Sequence, residues 1–457
     1  VAKPKRKDFK VLGILPDGVP EDEIVQNINA KVDYYYSASR DHRRQWLVNG
    51  AFARGQQFCV LHETDDRVIP VQQTNGRKMI TDDMIAPWKE HMIANLTSVV
   101  PSFECVPYNT DSQAVTAARL GSSLLRHYWE DWRFLVDYII GCGYLIDFAN
   151  FFVYLNYEEN RLEVRSDPKT DPETGEALVD EDGDPVYERR TVGDVTETII
   201  PPQYVGCPLD PSPLDDKPWV FIRQWRPLDY FEATYGEEGK LVTPEEVTTN
   251  DSYHLDYISR HNRTGNAKQQ IRGAHEVIYL QKPSALNPSG MVAVVANGKL
   301  LKNDPWPYSK LMKFPLEHFH TMKASGEFFA RSSIEQQIPL QKALNLLVSI
   351  IMENADDTAH PKVLIPQQAG VKSFSNVVEN VFYNYPFAPT HLQPPSMPAY
   401  VQSMIQELKG AIRDKQNYHG ASLGTSVSGV RSDAHAQNLQ DQDLLPLTII
   451  DNLLTAS

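Results

Sequence analysis

Residues 328–366, FFARSSIEQQIPLQKALNLLVSIIMENADDTAHPKVLIP, decide how this chain is read. Ser332-x-x-Glu335 has the form of a capping box, in which a hydroxyl bonds an orphan backbone N–H while the glutamate reaches back. Leu340, Leu344, Leu347 and Ile351 follow at helical spacing and form one apolar stripe. The pattern predicts a helix over 333–357. Gln341, Asn345, Ser349 and Asn354 place uncharged polar groups on its other faces, where a lone helix in water more often carries Lys and Glu. Amides there imply a face pressed against similar neighbours. His360-Pro361 ends the helix, because the residue before proline is pushed out of the α region. Val363, Leu364 and Ile365 then leave as a strand.

Downstream, a small β-containing insertion is expected over 358–395, closed by Gln393-Pro394-Pro395. A second helix is expected from Ser396, with Pro398 tolerated in its first turn, to His419. Val401, Met404, Ile405, Leu408 and Ile412 give it one apolar stripe, and Gly420 suits the position just past its end. That stripe leaves Lys409 and Arg413, four residues apart, on a common polar face. Residues 420–431, GASLGTSVSGVR, are small and hydroxyl-rich, as in a flexible loop. A third helix is expected from Ser432, kinked at Pro446.

Upstream, helical patterns run over 22–58, 82–96 and 111–140, the last with a stripe of Leu120, Leu124, Tyr128, Trp132 and Leu135. Tyr34, Tyr35 and Tyr36 beside the basic run 40–44 could bind nucleic acid, but at helical spacing they read as core and solvated face. Alternation typical of strands occupies 148–164, 192–200, 219–225 and 276–280. A hairpin over 291–301 turns at Asn297-Gly298. Residues 166–197 are acidic and rich in Pro and Gly, which reads as an exposed hairpin or loop. Asp180, Asp182 and Asp184 do not make a calcium loop, since Pro185 and Thr191 stand where Gly and Glu are needed. A polar connection spans 236–273.

Composition bounds the answer. The chain has 457 residues, 41% of them hydrophobic and 23% charged, enough for two to four modules of about 100–200 residues. No window approaches the roughly 18 apolar residues that span a bilayer, and no signal-peptide pattern is seen, so cytosolic synthesis is the expectation. Cys59, Cys105, Cys142 and Cys207 lie far apart and read as simple thiols rather than a disulfide or zinc framework. The net charge of −15 argues against a sequence-reading DNA binder. It is compatible with a DNA conduit, because a repulsive wall lets a polyanion slide where a basic wall would hold it. The N-terminus, VAKPKRKDFK, is strongly basic and reads as a solvated tail, with DNA or protein contact as the sharper alternative.

The order of these pieces closely resembles the portal proteins of tailed bacteriophages. Residues 46–56 (WLVNGAFARGQ) are similar to that family's wing-helix entry, and residues 95–107 (NLTSVVPSFECVP) to the segment after it. Residues 199–235 resemble its β-rich wing, with Pro201-x-x-Tyr204-Val205, an acidic Pro-rich loop and a final DYFEATYG. Residues 424–439 resemble the return from tunnel to crown. No one motif is specific; their co-linear order over most of the chain carries the resemblance.

The resemblance implies an α+β fold in portal order: a basic tail (1–20), a helical part of the wing (21–145) and a β-rich part (146–330). A stem helix (331–357), a small α/β clip (358–395), a second stem helix (396–419), a tunnel loop (420–431) and a kinked helix towards a crown (432–457) follow. It implies a dodecameric ring at one capsid vertex of the virion, assembled in the host cytoplasm, that conducts DNA in packaging and ejection. Such a ring would carry roughly −180. The implied partners are the terminase, tail-adaptor and head-completion proteins, the major capsid protein and scaffold, and double-stranded DNA bound without sequence preference. No membrane contact, cofactor or catalysis is implied. Lys409, Arg413, Lys415, Ser426, Ser428 and Arg431 become candidate channel residues. Leu340, Leu344, Leu347, Ile351, Val401, Ile405, Leu408 and Ile412 become candidate subunit contacts, and Lys372, Phe374, Phe382, Tyr383 and Tyr385 candidate partner contacts on the clip.

Two chemical motifs fail on context. Gly420-Ala-Ser422-Leu-Gly424 fits G-x-S-x-G, but the nucleophile elbow needs a strand before it and a helix immediately after. Here a long helix precedes and more loop follows, with only Asp433 and His435 nearby as partners. Gly424-x-x-x-x-Gly429 lacks the Lys-Ser/Thr of a phosphate loop, since Val430-Arg431 follows. His318 and His320, on one face of an expected strand, read as hydrogen-bonded or solvent-facing rather than as a zinc pair. The rival readings are another ring-forming or scaffolding component of a virus particle and, remotely, a serine hydrolase built on Ser422.

Overall fold

A computed structural model of the chain describes residues 13–61, 68–71, 78–98, 104–168, 187–245, 273–307, 313–359, 363–364, 367–369, 386, 390–391 and 398–416. Helices α1 (Glu21–Ala38) and α2 (Arg40–Ala53) lead through the short hairpin β1 (Cys59–Leu61) and β2 (Val68–Pro70) to α3 (Ile85–Leu96), α4 (Ser112–Asp131) and α5 (Phe134–Phe148). Then come β3 (Asn150–Pro168), β4 (Tyr187–Ile200), β5 (Val205–Gly206), β6 (Trp219–Pro227), α6 (Leu228–Lys240), β7 (Gly273–Gln281), β8 (Met291–Ala296), β9 (Lys299–Asp304) and β10 (Leu316–His320). The last described elements are α7 (Ser333–Ala359), β11 (Val363–Leu364), β12 (Thr390–His391) and α8 (Tyr400–Gln416). The chain is a mixed α and β fold.

Five antiparallel strands in the order β5-β6-β7-β8-β9 form the larger sheet. The Asn297-Gly298 turn joins β8 to β9 with φ of 41° and 76°, the positive pair that a tight type I′ hairpin requires. Both faces of this sheet are covered, so β7 is buried along nearly its whole length. On one side Trp219, Phe221, Tyr279 and Val295 pack with Ile24, Ile28, Val32 and Tyr35 of α1. On the other, Phe231 of α6 packs with Ala274, Val294 and Ala296.

The smaller sheet, β10-β3-β4, grows out of this core. Phe151, Phe152 and Val153 are buried at its root, while Leu155 and Tyr157 further along are exposed. The β3–β4 ladder continues to the pair Pro168–Tyr187, with register shifts on the way. At about 3.3 Å per residue the 19 residues of β3 span on the order of 60 Å. The stretch 166–197, read as an exposed hairpin or loop, is strand at both described ends, 166–168 and 187–197, in one antiparallel ladder, and residues 169–186 lie outside the described residues.

A second core joins the helices. Phe52 of α2, Trp88 of α3, Tyr138 and Cys142 of α5, and Ile334 and Ile338 of α7 pack together. Two expected helices are divided here. The run 22–58 breaks at Ser39, and 111–140 breaks at Arg133, which adopts φ 52°. The apolar stripe read on the second is not buried along α4, which has no buried residue. Its Tyr128 hydroxyl donates to Asp194 Oδ1 at 3.0 Å and the Trp132 indole donates to the Val195 carbonyl at 3.1 Å, which tie the end of the helix to β4.

The cores hold several polar groups. Lys31 is fully buried; its amine donates to the Tyr279 hydroxyl at 2.5 Å and lies 5.4 and 4.7 Å from the ring centroids of Trp219 and Tyr279. Burial pulls this amine down from 10.5 to about 7. Lys217, equally buried, pairs with Asp210 and sits 4.8 Å from the Phe328 ring. His318 Nε2 lies 3.1 Å from Asn150 Oδ1, its ring stacks on Phe152 at 4.4 Å, and burial holds its pKa well below the usual value. His320 Nδ1 lies 2.7 Å from the Thr321 carbonyl. Among the described residues no group of three His, Cys, Asp or Glu side chains is placed to hold a metal ion. The four cysteines are free thiols, Cys142 and Cys207 buried and Cys59 and Cys105 partly so.

Candidate functional site

The opening stretch of the sequence becomes α7, 27 residues long, or about 40 Å at 1.5 Å per residue. Its start is held from two sides. Ser332 Oγ accepts the Ile334 N–H at 3.1 Å and donates to the Ile146 carbonyl of α5 at 2.7 Å. Only the hydroxyl half of the expected capping box forms. Glu335 instead accepts from the buried Asn49 amide of α2 at 3.2 Å, which gives that amide an acceptor. Phe328 and Phe329, just before the helix, are buried, and Phe329 meets Trp46 edge-on at 5.0 Å.

The amide face of α7 is covered by this chain's own backbone. Residues 78–84 run antiparallel along the helix as an extended strap. The N–H groups of Lys78, Ile80, Asp82 and Met84 donate to Glu353 Oε1, Ser349 Oγ, Asn345 Oδ1 and Gln341 Oε1 at 3.1, 3.0, 3.0 and 3.2 Å. Every second residue of an extended chain advances about 6.6 Å. Every fourth residue of a helix advances about 6.0 Å. The two repeats agree closely enough for one side chain per turn to meet each alternate N–H. Side chains on a helix thus take the place of a neighbouring strand.

Further bonds close the ladder. Gln341 Nε2 donates to the Asp82 carbonyl at 2.7 Å and to Asn345 Oδ1 at 2.9 Å, and Asn345 Nδ2 donates to Gln57 Oε1 at 2.6 Å. Asp83 Oδ1 accepts the N–H groups of Ile85 and Ala86 and so caps α3. Gln337, Gln341, Asn345 and Ser349 are all buried with at least one such bond.

The returning helix α8 packs along α7. Gln416 at its end donates to the Met84 carbonyl and to Gln337 Oε1, each at 2.9 Å, and its own carbonyl accepts from the Trp88 indole at 3.3 Å. Lys409 makes an ion pair with Asp82 at 2.7 Å, and Lys78 pairs with Asp356 at 3.2 Å. Between the helices, β11 and β12 pair antiparallel, Val363 with His391 and Leu364 with Thr390.

The candidate residues fall into distinct positions. Leu344 and Ile412 are fully buried within the single chain, so they hold α7 and α8 to the body and are not free for a neighbour. This corrects their assignment as subunit contacts. Leu340, Leu347, Ile351, Val401, Ile405 and Leu408 are half-buried. The open apolar positions are others: Leu346, Ile350 and Met352 on α7, and Tyr400 and Met404 on α8. Lys409 is engaged with Asp82, while Arg413 and Lys415 are exposed. Ser422, Ser426, Ser428 and Arg431 of the loop lie outside the described residues, as do Lys372, Phe374, Phe382, Tyr383 and Tyr385 of the clip. The helix from Ser432 lies outside them as well.

The strap was missed from the sequence, and the amides of α7 were assigned to neighbouring copies. The available signal was their four-residue spacing, Gln341, Asn345, Ser349 and Glu353, which points to one continuous linear partner. A second electrostatic feature was also missed. Glu197 of β4 faces Asp137 of α5; burial first, then the Asp137 charge, push the Glu197 carboxyl up to about 8.

No helix among the described residues is long and apolar enough to cross a membrane. No protein-family model and no curated protein matches this chain.

Proposed function

We propose that this chain is the portal protein of a tailed bacteriophage, a non-enzymatic subunit of a dodecameric ring through which DNA enters and leaves the capsid. The observation that carries the reading is the order of parts around α7: a β-rich body, a long helix, a small β-containing insertion and an antiparallel returning helix. The strap gives that helix pair the stiffness a load-bearing stem needs, since each alternate N–H of 78–84 is bonded to it. In a cyclic assembly Arg413 and Lys415 would each repeat as a ring of positive charge within a strongly acidic particle. Such sparse rings touch and release DNA, because each exposed contact is weak at physiological salt. Terminase and head-completion proteins would dock on the insertion, and capsid protein on the wing. Native mass spectrometry of the purified full chain tests this. A closed oligomer of twelve copies is expected, and a monomer at all concentrations would overturn the reading.

A further inference from the structure

Helix α4 is 20 residues long and buries none of them in the single chain. Among the described residues it is tied at its middle and its C-terminal end: Ser122 accepts the Cys105 N–H at 2.9 Å, Trp129 packs on Phe134 at 4.5 Å, and Tyr128 and Trp132 bond β4. The rest is an open apolar surface, with Leu120 71% and Leu124 51% exposed, one helical turn apart. On the neighbouring α5, Val136 is 57%, Ile139 41% and Ile140 45% exposed. A helix of this length with no buried face is marginal in water. Five large side chains about half exposed leave on the order of several hundred Å² of apolar surface open on these two helices.

We propose that this α4–α5 face receives the outer face of the α7–α8 pair of a second copy, in a head-to-tail contact that repeats around the ring. The inference rests on the ring reading above and names its surfaces. A head-to-tail contact needs two different, complementary patches on each chain, whereas a two-fold contact needs only one. This chain carries two on separate helix pairs. The second is Leu346, 58% exposed, with Ile350 at 44% on α7 and Met404 at 45% on α8. Their charges are complementary too. Arg119 and Arg126, both exposed and two turns apart, flank the apolar stripe of α4, while Asp357 of α7 and Glu407 of α8 are exposed beside the second patch, Asp356 being paired with Lys78 of its own chain. The strap fixes the α7–α8 face to the body, so one copy presents it to the next at a constant angle.

The experiment uses two variants of the full chain, Leu120→Lys/Leu124→Lys on the first face and Leu346→Lys/Ile350→Lys on the second. All four side chains are exposed, so circular dichroism and melting should match the parent. Native mass spectrometry should show a ring for the parent and at least tenfold weaker assembly for each variant. Mixing the two variants should give a 1:1 dimer that grows no further, because each retains the face the other lacks. If the parent forms a ring and either variant still does, or the mixture gives no dimer, this assignment of faces is overturned while the ring reading stands. A monomeric parent would overturn both, and would assign α4 to a different class of partner or to cover by its own chain.

Discussion

Replacing Asn345 by leucine should loosen the strap more than any other single change on α7. Its Oδ1 accepts the Asp82 N–H and one Gln341 proton, and its Nδ2 serves Gln57 Oε1. Gln341 keeps the Asp82 carbonyl, so the principal orphans in Asn345→Leu are the Asp82 N–H and Gln57 Oε1. Each buried polar group left unpaired costs about 1–3 kcal/mol. The added apolar burial of leucine offsets about 1–2 kcal/mol of the sum. At a central value of about 2 kcal/mol per orphan, a net loss of about 2–3 kcal/mol in local stability follows, and at about 1.4 kcal/mol per tenfold this is roughly 30- to 150-fold faster exchange. Hydrogen-exchange mass spectrometry on peptides covering 78–84 reads this directly. The control Gln336→Ala, on an exposed position of the same helix, should lie within about 0.5 kcal/mol of the parent. Unchanged protection of 78–84 in Asn345→Leu would refute the ladder as the element that holds the strap.

Two further outcomes concern buried titrating groups. Between about 7 and 10.5 the unfolded chain keeps the Lys31 proton and the folded chain does not, so the stability of the parent rises with pH across that window and the burial penalty is complete below it. Lys31→Met should therefore stabilise most at pH 6, by up to about 5 kcal/mol, and progressively less towards pH 10; urea titrations showing equal gain at both pH values would contradict the burial argument. Glu197 has the opposite sign: the folded chain holds its proton up to about 8 and the unfolded chain releases it near 4.5, so the contact between α5 and β4 weakens as pH rises between these values. Glu197→Gln should raise the melting temperature at pH 8.5 and flatten its slope from pH 5 to 8.5, and an unaltered slope would mean that another group sets it.

How much of this was legible depended on whether the cause was local. The Asn297-Gly298 hairpin, the start of α7 after Ser332 and the buried strands around 277–280 each follow from a few adjacent residues, and the structure shows all three. The break at Arg133 was not legible, since neither Gly nor Pro marks the left-handed arginine, across which Trp129 packs on Phe134. Periodicity found the apolar stripe of α4 but could not say that none of the other described residues buries it. The ladder on α7 joins residues 257 to 275 positions apart, and its amides announce a polar partner without naming which. Lys31 gave no signal at all, because a lysine on a helix reads as solvated until the sheet above it is known. Polar groups buried by distant backbone are thus the part of this fold that pattern alone does not reach.

Electron microscopy of the purified full chain tests the central claim most directly. The account predicts closed rings of twelve subunits in end view, with an axial hole wide enough for duplex DNA and the α7–α8 pairs lining or flanking it. Monodisperse single particles, or rings closed at the centre, would contradict it.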